Sequence, residues 1–189
     1  MNNILITAFE PFGNRNINNS LLVLNDLIFS NYKVTKIKLP VVFLESFIPL
    51  KDELNNNNFD YIFLLGEAPY DKDFTLELEA HNIMNSKSKD NKGNIKINES
   101  IYLNEEYTLT TKFNINNLNN IKNKYNLNLS NNAGSYICNS TYYQTLHYLK
   151  NKDTKCIFIH ISNKITDIKE KSLKLEKIII DLINNDVNN

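Results

Sequence analysis

A chain of 189 residues with only 4 Gly and 4 Pro has the length of one ordinary domain and no flexible linker to divide it, so a single continuous domain over residues 1–189 is expected. Its 21 Lys and Arg balance 21 Asp and Glu, and a net charge of +0 offers no electrostatic footprint for nucleic acid or anionic lipid. The opening MNNILITAFEPFG has no basic segment ahead of its short apolar run, no later run is long enough to span a bilayer, and 2 cysteines imply no disulfide framework; a soluble cytoplasmic chain with free thiols, and with neither nucleic acid nor membrane as partner, is expected.

In chain order, Asn3 to Thr7 (NILIT) reads as the first strand, and Ser20 can cap a helix over LLVLNDLIF. Val34 to Leu39 (VTKIKL) reads as a second strand, followed by helical spacing from Val42 to Leu54 that Pro49 kinks or delays. Tyr61 to Leu65 (YIFLL) is the third, too continuously apolar for a surface sheet. The Asn-rich stretches Leu54 to Phe59 and Asn114 to Asn132 read as solvated connections, because Asn competes for its own backbone and favours turns and caps. YNLNL, at the end of the second stretch, has strand character, and Tyr142, Leu146 and Leu149 then mark the buried stripe of a helix. Cys156 to Ile161 (CIFIHI) is the last strand and Ile165 to Asn184 the last helix. This alternation argues for an α/β fold, in which function collects in loops beyond the carboxyl ends of the strands.

Four groups of residues fall there. AFEPFG, Ala8 to Gly13, places Phe9 and Phe12 on the turn after the first strand, either as a hydrophobic staple or as the lining of a small apolar pocket. In GEAPYDKDFTLELEAHN, Gly66 to Asn82, an extended backbone puts Thr75, Glu77, Glu79 and His81 on one face and Phe74, Leu76, Leu78 and Ala80 on the other. That is either a half-exposed strand with solvated charges or a face fit for acid–base work; no HExxH-like spacing supports a metal site from Glu77, Glu79 and His81. Cys138, in NNAGSYICN, falls in or near the first turn of a helix, where backbone N–H groups and the dipole favour a thiolate, although free cysteines are commonly inert core residues. Cys156, inside an apolar strand, is assigned to the core. His160 ends the last strand, at the same sheet edge as the Cys138 turn if the strands are parallel. A Cys activated by a His, with a carboxylate fixing the imidazole, is the generalised triad of acyl transfer.

FEPFG at Phe9 to Gly13, an acidic strand carrying Thr75, Glu77, Ala80 and Asn82, then Ala133, Gly134, Cys138 and Asn139, then FIH at Phe158 to His160 together resemble the pyroglutamyl peptidases (pyrrolidone-carboxylate peptidases), nearly end to end. The resemblance implies a cysteine peptidase that removes the amino-terminal pyroglutamyl residue of blocked peptides through a thioester, with no metal or other cofactor, commonly assembled as a dimer or tetramer. By matching position, Cys138 is the nucleophile, His160 the general base and then acid, and Glu77 the group that orients the imidazole. Phe9, Phe12, Tyr136 and Ile137 match positions around the flat lactam ring. Two substrate-binding positions depart from the family pattern. Lys87 stands where Arg is usual, keeping a charge that favours an oxyanion but lacking the planar fork. Glu67 stands where Gln is usual, and a carboxylate pointing inward suits an ammonium better than a lactam. A relative that is non-catalytic, or shifted towards unblocked peptide amino termini, is therefore the alternative. Pattern and resemblance together predict a three-layer α/β/α sandwich with a mixed, mostly parallel sheet.

Overall fold

The computed structural model describes residues 2–187. In chain order the elements are β1 (Asn3–Phe9), α1 (Asn19–Asp26), β2 (Lys33–Leu39), α2 (Phe47–Asn56), β3 (Tyr61–Ala68), β4 (Phe74–Glu77), β5 (Glu79–His81), β6 (Met84–Ser86), β7 (Lys96–Glu99), β8 (Thr108–Thr110), α3 (Ile115–Tyr125), β9 (Asn128–Ser130), α4 (Ile137–Tyr148), β10 (Lys155–Ser162) and α5 (Ile168–Val187). Six strands form the central sheet in the order β2-β1-β3-β10-β4-β9. Neighbours from β2 to β10 are parallel, β4 runs antiparallel to β10, and β9 is parallel to β4. The sheet is mixed and mostly parallel, as expected. Two small antiparallel pairs, β5 with β8 and β6 with β7, lie outside it.

Strand residues alternate between two cores, because successive side chains leave a strand on opposite faces. Ile4, Ile6, Phe63, Leu65, Ile157, Ile159 and Ile161 pack with buried side chains of α1, α3 and α5. Leu5, Phe9, Ile62, Leu64 and Phe158 pack with α2 and α4. Both faces of the parallel strands are thus covered, which explains why YIFLL and CIFIHI read as unbroken apolar runs.

Several local expectations change. Asn18, not Ser20, caps α1: its Oδ1 accepts from the Ser20 N–H at 3.0 Å and the Ser20 hydroxyl at 2.7 Å. Val42 to Ser46 forms a turn with Leu44 at φ 63°, so α2 begins at Phe47 and Pro49 sits in its first turn, where an absent N–H costs no intrahelical bond. The Asn-rich stretch is largely the helix α3 rather than a solvated connection. Asn114 caps it, Asn126 ends it in the left-handed region at φ 52°, and Leu118 and Ile121 anchor it in the core. Asn favours helix ends, and two correctly spaced apolar side chains suffice to dock what lies between them. Among the described residues, no helix is long and apolar enough to cross a membrane.

Candidate active site

The candidate residues converge through strand register. His160 of β10 lies opposite Gly66 of β3 on one flank and Thr75 of β4 on the other. Because β4 is antiparallel to β10, Glu77 falls opposite Phe158, two residues before His160 and on the same face. This diagonal brings His160 Nδ1 to 2.7 Å from Glu77 Oε1. The two side chains are 4% and 0% exposed, so the contact is fully desolvated. Glu77 Oε2 has no hydrogen-bond partner among the described residues, leaving the imidazole as the main partner of a buried carboxylate.

Cys138 is the second residue of α4, whose amino-terminal cap, Tyr136, has an extended backbone and supplies no side-chain hydrogen bond. The first-turn N–H groups therefore face the site without a side-chain cap. The Cys138 side chain also interacts with the imidazole, and since Nδ1 is held by Glu77, Nε2 is the ring nitrogen left available to it. Burial alone would lower the His160 pKa, but the bonds to Cys138 and Glu77 outweigh it and raise the value from 6.5 to about 9. Cys156, by contrast, is enclosed in the core, and burial pushes its thiol well above the usual range. The two cysteines thus occupy different environments, Cys138 partly open at the start of α4 and Cys156 closed in the core.

Gly66 makes this proximity possible. A Cβ at this position would lie 2.6 and 2.8 Å from ring carbons of Phe158 and 2.9 Å from the Cys138 sulfur. Tyr70, in the segment between β3 and β4, packs edge-on against the His160 ring with centroids 5.6 Å apart, and its hydroxyl donates to Glu77 Oε1 at 3.3 Å. Asn139 is wholly buried; it accepts from the His81 N–H at 2.8 Å and donates to the carbonyls of His81 and Ile83 at 2.8 and 2.9 Å. It ties the segment after β4 to the first turn of α4, immediately beside Cys138.

Beside the sulfur lies a cleft of about 40 Å³, lined by Phe9, Phe12, Asn18, Val41, Glu67, Tyr136, Ile137 and Cys138. All four residues expected around a small ring are present, with Tyr136 fixed by Phe43 edge-on at 5.2 Å and by its hydroxyl bond to the Lys89 carbonyl at 2.9 Å. Glu67 lines the cleft too, but its carboxylate is already committed: Arg15 grips both oxygens, with Nη2 3.3 Å from Oε2, and the Asn19 N–H donates to Oε2 at 2.7 Å. Lys87 is exposed on the bend after β6 and is not among the lining residues. The single acid–base face expected for Thr75, Glu77, Glu79 and His81 is divided at Leu78. Thr75 and Glu77 face the site, whereas Glu79 and His81 pair with each other at 3.5 Å in the strand that joins β8. Among the described residues, no group of three or more His, Cys, Asp or Glu side chains could hold a metal ion.

The pairing of Arg15 with Glu67, the bond from Tyr70 to Glu77 and the anchoring role of Asn139 have no signal in the local sequence pattern. Arg15 and Tyr70 sit in irregular segments, where no periodicity reports the direction of a side chain.

The chain is similar to known proteins along nearly its whole length. The family model described as pyroglutamyl peptidase matches residues 2–184. The pyrrolidone-carboxylate peptidase of Brachyspira hyodysenteriae is 34% identical over 173 residues, covering 88% of this chain and 86% of the relative. That of Thermosipho melanesiensis is 31% identical over 186 residues, covering 93% and 92%. Among solved structures, the pyrrolidone carboxyl peptidase of Fervidobacterium islandicum AW-1 has a TM-score of 0.84 at 27% identity, over 98% of both chains.

Proposed function

Since the chain belongs to the pyroglutamyl peptidase family, we propose that its Cys138, His160 and Glu77 are the triad that carries the family reaction, and that the cleft lined by Phe9, Phe12, Tyr136 and Ile137 holds the lactam ring. The chain is a hydrolytic cysteine peptidase that removes an amino-terminal pyroglutamyl residue from peptides. The observation that carries the residue assignment is the buried 2.7 Å contact between His160 Nδ1 and Glu77 Oε1, which leaves Nε2 of the same ring for Cys138.

The chemistry follows from these positions. With the Cys138 proton passed to His160, the sulfur attacks the pyroglutamyl carbonyl carbon, and the oxygen that gains charge lies towards the first-turn N–H groups of α4. His160, holding its proton well past neutrality, gives that proton to the departing amine as the C–N bond breaks, leaving a thioester. Water then attacks the thioester carbonyl while His160 accepts its proton, and pyroglutamate leaves with the sulfur restored. Glu77 fixes the orientation of the imidazole, while Tyr70 covers that pair. The aromatic walls favour a flat neutral ring, and the pairing of Glu67 with Arg15 supports a lactam substrate over an unblocked amino terminus.

We place the activity in the cytoplasm, in a protein of residues 1–189 that works as one unit and assembles as a dimer or tetramer. Supporting the single unit, the site draws on β1, β3, β4, α4 and β10, which span nearly the whole chain.

The test is release of a fluorescent amine from pyroglutamyl and alanyl conjugates by the wild type, Cys138→Ala and Cys138→Ser. Pyroglutamyl turnover that both variants lose is expected. Unchanged turnover in either variant would remove Cys138 from the mechanism, and a folded wild type that turns over neither conjugate would leave only a binding role.

A further inference from the structure

The cleft contains one carboxylate, and its environment is unusual for a pocket that receives a neutral ring. The Glu67 side chain is 2% exposed, so water does little to stabilise it. Its charge is balanced from within the chain by Arg15, which arrives from the solvent side with its own side chain 41% exposed, and by the N–H of Asn19 at the start of α1. Glu67 and Arg15 are 52 residues apart in sequence and in different segments.

We propose that Arg15 is a specificity-determining residue. By neutralising Glu67 at the cleft wall, it makes the pocket select an uncharged five-membered lactam against the cationic five-membered ring of an amino-terminal proline. The inference rests on the reading of this cleft as the ring-binding site given above.

The physical reasoning is electrostatic. A buried carboxylate must find a positive partner or lose stability, and Arg15 meets that need in the free protein. An entering pyrrolidinium would then meet a wall with no net charge while surrendering its own hydration. A lactam surrenders far less, and its N–H still finds an acceptor in the carboxylate. Without Arg15, the carboxylate keeps only the Asn19 N–H, and a cationic ring becomes its natural partner. Since the guanidinium is largely at the surface, its loss opens no core cavity.

The experiment is calorimetric binding of pyroglutamyl-alanine amide and prolyl-alanine amide to the Cys138→Ala protein, which cannot turn them over. It compares Arg15 intact, Arg15→Lys, Arg15→Gln, and Arg15→Gln combined with Glu67→Gln. With Arg15 intact the pyroglutamyl ligand should bind more tightly. Arg15→Gln should erode that preference by about tenfold or more, chiefly through tighter prolyl binding. Arg15→Lys should keep most of the preference, and the added Glu67→Gln should restore it, which a merely structural role for Arg15 would not do. A preference unchanged in Arg15→Gln, equal binding of both ligands with Arg15 present, or no measurable pyroglutamyl binding would each overturn the inference. Failure of the hydrolytic reading looks different: turnover independent of Cys138, or absent, while the binding preference and its dependence on Arg15 persist.

Discussion

Gly66→Ala adds one methyl group at the point where β3, β10 and α4 meet. That carbon would sit 2.6 and 2.8 Å from Cζ and Cε1 of Phe158 and 2.9 Å from Cys138 Sγ, where ordinary contact lies at 3.4–4 Å. Phe158 cannot swing away cheaply. It is 0% exposed and wedged among Phe9, Tyr142 and His160, with ring centroids at 6.4, 5.7 and 4.7 Å. The strain is therefore shared between a core ring and the Cys138 sulfur. Overpacking of this kind costs about 1–3 kcal/mol, and moving a nucleophile by an ångström lowers kcat on the order of 100-fold. Urea unfolding should show a lower midpoint with an unchanged slope, and a pyroglutamyl-conjugate assay should show the loss mainly in kcat, because the displaced atom is the Cys138 sulfur. Adding Phe158→Leu, which makes room for the methyl group, should recover part of the stability. A Gly66→Ala protein with wild-type midpoint and kcat would refute the reasoning, since it would mean the site tolerates the overlap by relaxing elsewhere.

The pH profile should follow His160. With a folded-state pKa of about 9 against an ordinary 6.5, kcat/KM should hold through neutrality and fall on the alkaline side near pH 9 as the proton for the leaving amine is lost; a fall centred near 6.5 would contradict it. The same raised value contributes stability that is complete below 6.5 and is lost as pH rises through about 9, so chemical denaturation at the two ends of that window should differ in this direction. Tyr70→Phe removes the hydroxyl that donates to Glu77; burial first, and the Glu77 charge next, push its pKa up to about 12, so the phenol keeps its proton throughout. Loss of that one bond should lower kcat about fivefold with KM nearly unchanged, and a change confined to KM would place Tyr70 at the substrate instead. Asn139→Ala strips partners from the His81 N–H and from two carbonyls in a buried setting, and should cost about 3 kcal/mol in urea unfolding; a cost under about 0.5 kcal/mol would show that water replaces the side chain.

Local pattern sufficed for the scaffold. Strands such as YIFLL and CIFIHI declare themselves because a strand buried on both faces admits few polar side chains, and α4 declares itself through apolar spacing just after a turn. The same patterns put Cys138 at a helix start and His160 at a strand end, because those positions depend only on a few neighbouring residues. The helix α3 does not declare itself, for the converse reason: its Asn content speaks for turns, and only docking of Leu118 and Ile121 against the core overrides that preference.

By itself, then, the sequence determined the α/β class and the family, and it singled out Cys138, His160 and Glu77 as the candidates for the proposed triad. Tertiary structure alone decided how they meet. Glu77 reaches His160 only because β4 runs antiparallel to β10, and it parts from Glu79 and His81 because the chain leaves the sheet at Leu78. The orientation of Glu67 towards Arg15, the cover provided by Tyr70 and the exposure of Lys87 were likewise settled in three dimensions. The physical reason is common to all of these. A strand or helix pattern is encoded over a few adjacent residues, whereas a salt bridge or a capping phenol joins segments whose relative placement the whole core must first establish.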